Sequence, residues 1–271
     1  MNPIEKYNTR VDQSHSLVCV GLDSDIKYIP RQFRDDPFPQ FAFNRWVIEE
    51  THHYVSAYKP NMAYYEARGD RGLAELKMTI DYLQERHPQI LTICDAKRAD
   101  IGTINAAYIE SIFDWLGFDS VTLQPYLGKQ AIQPFLDRVD KGAIIICRTS
   151  APGTNDLQDL KVDGRPLWQY LAQQVCNEWN TNQNCMLVVS STIPFELQEA
   201  RQLAGAMPFL IPSVGTQGGT LKKVVEAGSC PDGRGLLINS SRSVIFSDNP
   251  NGAVKRLRDE INQYRPKSSE S

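Results

Sequence analysis

The chain has 271 residues, enough for a substantial core, and its 41% hydrophobic and 23% charged residues are ordinary for a globular enzyme. Lys and Arg number 29 against 32 Asp and Glu, a net charge of −3, and the basic residues are scattered, which removes any electrostatic case for a nucleic-acid partner. No apolar run is long enough to cross a membrane and residues 1–6 lack an apolar signal region, so a cytoplasmic protein is expected.

Short apolar runs alternate with amphipathic stretches along the whole chain. Strands are predicted over 17–22, 56–59, 90–95, 120–123, 143–147, 186–190, 209–211 and 236–239. Helices are predicted near 40–54, 70–86, 101–116, 129–138, 166–180, 195–204, 218–227 and 251–264. In the third helix Ile101, Ile104, Tyr108, Ile112 and Trp115 recur at spacings of three and four, one helical face. Eight strand-then-helix units point to an α/β fold, a closed (β/α)8 (TIM) barrel with its active site at the carboxyl ends of the strands. Periodicity alone leaves a doubly wound open sheet as the alternative. With no internal repeat and no linker, residues 1–271 read as a single domain whose polar tail, 265–271, is expected to fray.

Two longer irregular segments interrupt the pattern. Residues 23–40 hold three prolines and mixed charge and are candidates to cross the barrel mouth. Residues 149–166 are polar, with two glycines and two prolines, and follow the fifth strand; a loop that long is more often a lid or binding element than a plain connector. The six cysteines show no CxxC spacing, and Cys19, Cys94, Cys147 and Cys185 lie within or beside strands, as buried free thiols do in a reducing compartment. His15, His52, His53 and His87 show no zinc spacing and read as surface or structural residues.

The polar residues at the strand ends carry the functional argument. Asp23 ends the first strand. Lys59 ends the second, with Asn61 on its side two residues later, and Pro60 should stop the pairing there. Asp95 and Lys97 share a face at the end of the third, and Asp100 stands at the mouth of the following helix. Two carboxylates and an ammonium at one strand end are costly to desolvate unless they compensate one another, and such clusters are where chemistry tends to lie. Across the barrel, the glycine-rich run 211–219 precedes a helix and so offers backbone N–H groups to an anion. After the eighth strand, Asn239-Ser240-Ser241-Arg242 adds a guanidinium suited to phosphate.

These motifs resemble the orotidine 5′-phosphate decarboxylase family, in the branch with longer loops that includes many bacterial enzymes. The Asp-x-Lys-x-x-Asp signature falls on Asp95, Lys97 and Asp100, and the other marks run in family order from about 17 to 246. The resemblance implies decarboxylation of orotidine 5′-phosphate to UMP and carbon dioxide, the last step of de novo pyrimidine nucleotide synthesis, with no metal and no organic cofactor. It implies that Lys97 protonates C6, that Asp95 lies beside the substrate carboxylate, and that Lys59 and Asp23 lie near the ribose. Asn61, Ile101 and Ser150 would also meet substrate, Ser150 at the pyrimidine edge. Pro212, Gly215, Gln217, Gly218 and Arg242 would form the phosphate end, with Gln217 and Arg242 holding the phosphate itself. A homodimer with shared active sites is implied, Asp100 completing the partner's site. One departure stands out: relatives often carry Thr four residues after the second Asp, whereas this chain has Ile104. Two other readings stay open: a magnesium-dependent keto-sugar-phosphate decarboxylase or hexulose-phosphate synthase, and a non-catalytic protein that binds nucleotide phosphates.

Overall fold

The structure, a computed structural model, describes residues 2–212 and 218–267. All eight expected strands form: β1 (Val18–Val20), β2 (Ala57–Tyr58), β3 (Leu91–Arg98), β4 (Ser120–Leu123), β5 (Gly142–Arg148), β6 (Cys185–Val189), β7 (Phe209–Ile211) and β8 (Leu236–Ser240). Every neighbouring pair is parallel. The sheet closes where β1 meets β8, with Val18, Cys19 and Val20 opposite Ile238, Asn239 and Ser240. That closure excludes the doubly wound alternative. Strands covered on both faces read as apolar runs rather than alternations, and Ala143, Ile144 and Ile145 of β5 are accordingly inaccessible to solvent.

The outer layer contains α1 (Pro39–Thr51), α2 (Gly69–Arg86), α3 (Gly102–Ile109), α4 (Lys129–Leu136), α5 (Leu167–Gln174), α6 (Pro194–Ala204), α7 (Gly218–Gly228) and α8 (Pro250–Tyr264). Helices α3 and α5 run on through wider turns, Glu110–Trp115 and Val175–Trp179. A further helix, Pro3–Ser14, precedes the barrel. Its start is a capping box, in which Asn2 Oδ1 accepts from Ile4 N–H at 2.8 Å and Glu5 Oε2 from Asn2 N–H at 3.0 Å. Tyr7 of this helix donates to the Leu236 carbonyl and accepts from Gly235 N–H, each at 3.0 Å, fastening the helix at the start of β8.

In the 23–40 segment Phe33 packs against Phe43 and Trp46 of α1, ring centroids 5.5 Å apart in both pairs, and the Tyr28 ring lies 6.2 Å from that of Phe246, which follows β8. Other expectations are corrected. The 149–166 segment is structured, with a short helix (Asn155–Gln158) and a two-stranded hairpin pairing Lys161–Val162 with Arg165–Pro166. The apolar face of α3 is not turned inward as a whole. Ile112 is buried, but Ile101, Ile104 and Trp115 are 63, 43 and 48% exposed. In the tail, Arg265 is held, its Nε donating to the Gly233 carbonyl.

Candidate active site

Asp95 is the hub of the charged cluster. Its Oδ2 pairs with Lys59 Nζ at 2.9 Å and its Oδ1 with Lys97 Nζ at 2.6 Å. Burial pushes the Asp95 carboxyl up, but the ammonium groups of Lys59 and Lys97 overcome this and hold it at about 2. For Lys59, 4% exposed, burial favours the neutral amine, yet Asp95 and then Asp23 leave it above the usual lysine range. The result is a fixed carboxylate between two ammonium groups, one buried and one, Lys97, open to the barrel mouth with a side chain 47% exposed.

Backbone geometry aims these groups. β2 stops at Tyr58 as Pro60 requires, but one bridge forms beyond it, Asn61 opposite Asp95. The Pro60 carbonyl accepts from Asp95 N–H at 3.1 Å, and Asp95 O from Met62 N–H at 3.2 Å, so the proline interrupts the ladder without releasing the strands. Asn61 Nδ2 lies 3.5 Å from Asp95 Oδ2. β3 continues past Asp95 to Arg98, and its register against β4 shifts between Cys94 and Arg98. Within this irregularity Lys97 has φ +50°, a left-handed conformation that costs a non-glycine residue about 1–3 kcal/mol. Thr122, at the end of β4, holds it there. Its Oγ1 accepts from Lys97 N–H at 2.9 Å and donates to Asp95 Oδ1 at 3.1 Å.

Asp23 stands nearby, close enough to Lys59 to influence its charge, and its Oδ1 is buried with no hydrogen-bond partner among the described residues. Asn239 joins two loops, Nδ2 donating to the Pro212 carbonyl at 2.9 Å, and its Oδ1 is likewise buried without a partner there. Gly21 permits this packing, since a Cβ at that position would lie 2.0 Å from Ser241 Oγ.

The remaining predicted residues are placed less tightly. Asp100 is not joined to the cluster by any hydrogen bond or ion pair among the described residues. Its Oδ1 accepts from Ile101 N–H at 2.7 Å, and its own N–H donates to Asn105 Oδ1 at 2.9 Å at the start of α3. Ile101, Ser150 and Arg242 are exposed, Arg242 opening the short helix Arg242–Ile245. Gly218 begins α7. Gly215 and Gln217 lie outside the described residues.

Sequence reasoning passed over Thr122, whose only signal was a hydroxyl at the end of the strand beside Asp95. It also passed over Arg148, the last residue of β5 and 4% exposed. The Arg148 guanidinium grips Glu196 of α6 with two bonds, 2.8 and 2.7 Å, and pairs with Asp159 of the 149–166 segment at 2.8 Å. A lone arginine after an apolar run gives no sequence sign of two distant acidic partners.

Comparison with known proteins identifies the family. The chain is 41% identical to orotidine 5′-phosphate decarboxylase of Janthinobacterium sp. (strain Marseille), the match covering 97% of this chain and 99% of that protein. It is 44% identical to the Cellvibrio japonicus protein of the same name, over 95 and 94% of the two chains. Among solved structures, Leishmania donovani OMP decarboxylase superposes with a TM-score of 0.88 at 37% identity, covering 98% of this chain and 99% of that one. The sequence model of the Orotidine 5′-phosphate decarboxylase / HUMPS family matches residues 16–257, and the chain belongs to that family.

Proposed function

We propose that this protein decarboxylates orotidine 5′-phosphate to UMP and carbon dioxide. The observation that carries the reading is the Lys59–Asp95–Lys97 array at the carboxyl ends of β2 and β3, with ion pairs of 2.9 and 2.6 Å. The names of relatives at 41 and 44% identity support the same substrate.

Loss of carbon dioxide from C6 leaves an electron pair in the plane of the pyrimidine, where the ring π system cannot delocalise it. A preorganised ammonium at that position stabilises the charge as it develops and then neutralises it by giving up a proton. Lys97 is the group suited to that step, being open to the mouth and paired with Asp95 at 2.6 Å. Lys59 neutralises the other side of Asp95 and so helps keep that carboxylate ionised. Proton and charge are both supplied by the chain, so the reaction calls for no metal or organic cofactor.

The unpartnered Asp23 Oδ1 is the acceptor offered to a ribose hydroxyl, with Asn61 beside it. Ser150 meets the pyrimidine edge. The phosphate is taken by Arg242 and Gln217, with Gly215 and Gly218 the glycines that let it approach and Pro212, whose carbonyl is held by Asn239, leading into them. Holding the remote phosphate supplies binding energy to the chemical step at C6.

The protein acts as a homodimer. Exposed Ile101, which caps α3, and Ile104 within it form an apolar strip suited to a second copy. Asp100 and Ile101 are the residues assigned to that copy's site. Six free cysteines, five of them buried, suit the reducing cytoplasm.

The test is to follow the absorbance lost as orotidine 5′-phosphate becomes UMP, with a chelator present. Turnover that persists with chelator and vanishes in Lys97→Ala supports the assignment. Turnover that requires magnesium would transfer the protein to the sugar-phosphate branch. UMP binding without turnover would make it a binding protein.

A further inference from the structure

The barrel's other end carries a cluster that this reaction does not use. Glu49 lies in the last turn of α1, His52 follows three residues later, and His87 is the residue after α2. His87 Nε2 is 3.1 Å from Glu49 Oε1, and one donor atom from each of the three residues lies within 4.8 Å of the other two. The His52 and His87 rings are 4.2 Å apart between centroids, and the His53 ring is 3.8 Å from that of His52.

Two histidines and a glutamate are a recurrent donor set for zinc. Ligands about 2.0–2.1 Å from a tetrahedral ion stand roughly 3.3 Å from each other, so the Glu49–His87 separation already suits one. The remaining donor atoms stand within 4.8 Å of one another, so binding requires His52 to move toward the Glu49–His87 pair. The outer shell is also furnished, since Tyr82 OH donates to Glu49 Oε1 at 2.6 Å and orients the carboxylate. Glu49 is half exposed and borders a surface groove shared with Asp36, Arg45, Glu85 and Arg86, which is an entry path. The opposing term is Arg10, whose guanidinium donates to the His52 carbonyl. An ion with strong affinity for imidazole is the class that offsets such a neighbouring charge.

We infer that Glu49, His52 and His87 bind a zinc-class divalent ion that ties the end of α1 to the end of α2. At the amino-terminal face of the strands such an ion braces the barrel and takes no part in turnover.

The experiment uses untagged, chelator-stripped protein titrated with zinc, and with cobalt as a spectroscopic stand-in. The expected result is one equivalent bound at micromolar zinc, with a higher melting temperature. Cobalt should give tetrahedral d–d bands without a thiolate charge-transfer band. His52→Ala and His87→Ala should each weaken binding by at least about 100-fold, more than the loss of an outer-shell partner. Circular dichroism checks each fold, and Glu49→Gln, at a half-exposed position, serves where a histidine variant does not fold. Unchanged uptake in these variants, a thiolate band, or no uptake at micromolar zinc would each overturn the inference.

Discussion

Thr122→Val tests whether the position of Lys97 is imposed by the neighbouring strand. The substitution keeps the branched shape and deletes one hydroxyl, and with it the acceptor for Lys97 N–H at 2.9 Å and the donor to Asp95 Oδ1 at 3.1 Å. Leaving the part-buried Lys97 N–H without its acceptor costs at most about 1–3 kcal/mol, and a hydrogen bond to a charged group contributes about 1.5–3 kcal/mol. Together these match or exceed the roughly 1–3 kcal/mol stored in the left-handed Lys97 backbone. Once the hydroxyl is gone, relaxing Lys97 becomes more favourable than holding it, and the ammonium leaves its aim. Steady-state decarboxylation, followed by absorbance, should show kcat reduced about 100-fold, close to 2.7 kcal/mol, with KM changed far less because the residues proposed to hold the phosphate are not those of β3 and β4. Thr122→Ser, which restores the hydroxyl, should recover most of the rate. A correctly folded Thr122→Val with kcat within about twofold of the parent would refute the reasoning, because a lost acceptor cannot be silent if it holds the catalytic backbone.

Asp95, lowered from 3.8 to about 2, contributes stability that is fully present above pH 4 and is lost as pH falls through about 2. By linkage this is about 2 kcal/mol, readable by urea unfolding across that window, and Asp95→Asn should flatten the dependence; an unchanged acid limb would count against the pairing. Arg148→Met leaves Glu196 and Asp159 without their common partner and should cost about 3 kcal/mol, loosen residues 149–166 to limited proteolysis and raise KM. Equal protease resistance would show that the segment is held by other contacts. Mixing Lys97→Ala with Asp100→Ala should restore part of the activity through hybrid dimers in which one site has both residues. No recovery after demonstrated subunit exchange would remove Asp100 from the partner's site.

Much of the barrel was legible in the chain because burial on both faces demands continuous apolar runs. Every strand of the barrel was recognisable from such a run, and Asp23, Lys59, Asp95 and Lys97 were notable for standing where the runs end. Local spacing also marked Gly218 as a helix start and Asn239 to Arg242 as a polar run at the end of the eighth strand, where the structure has Asn239 and Ser240 close β8.

What tertiary structure decided depends on contacts between residues far apart in sequence. Closure of β1 on β8, rather than an open sheet, is a pairing across more than two hundred residues that no local period encodes. The left-handed turn at Lys97 depends on a hydroxyl from the next strand, and a local reading gives an ordinary pleat there. Helical spacing identified the apolar stripe of α3 but not its direction, because periodicity ranks the faces of a helix without saying which one the barrel covers. Arg148 and His87 were unreadable for the same reason. Their partners are brought to them only when the chain closes into a barrel, and electrostatic pairing acts through space rather than along the sequence.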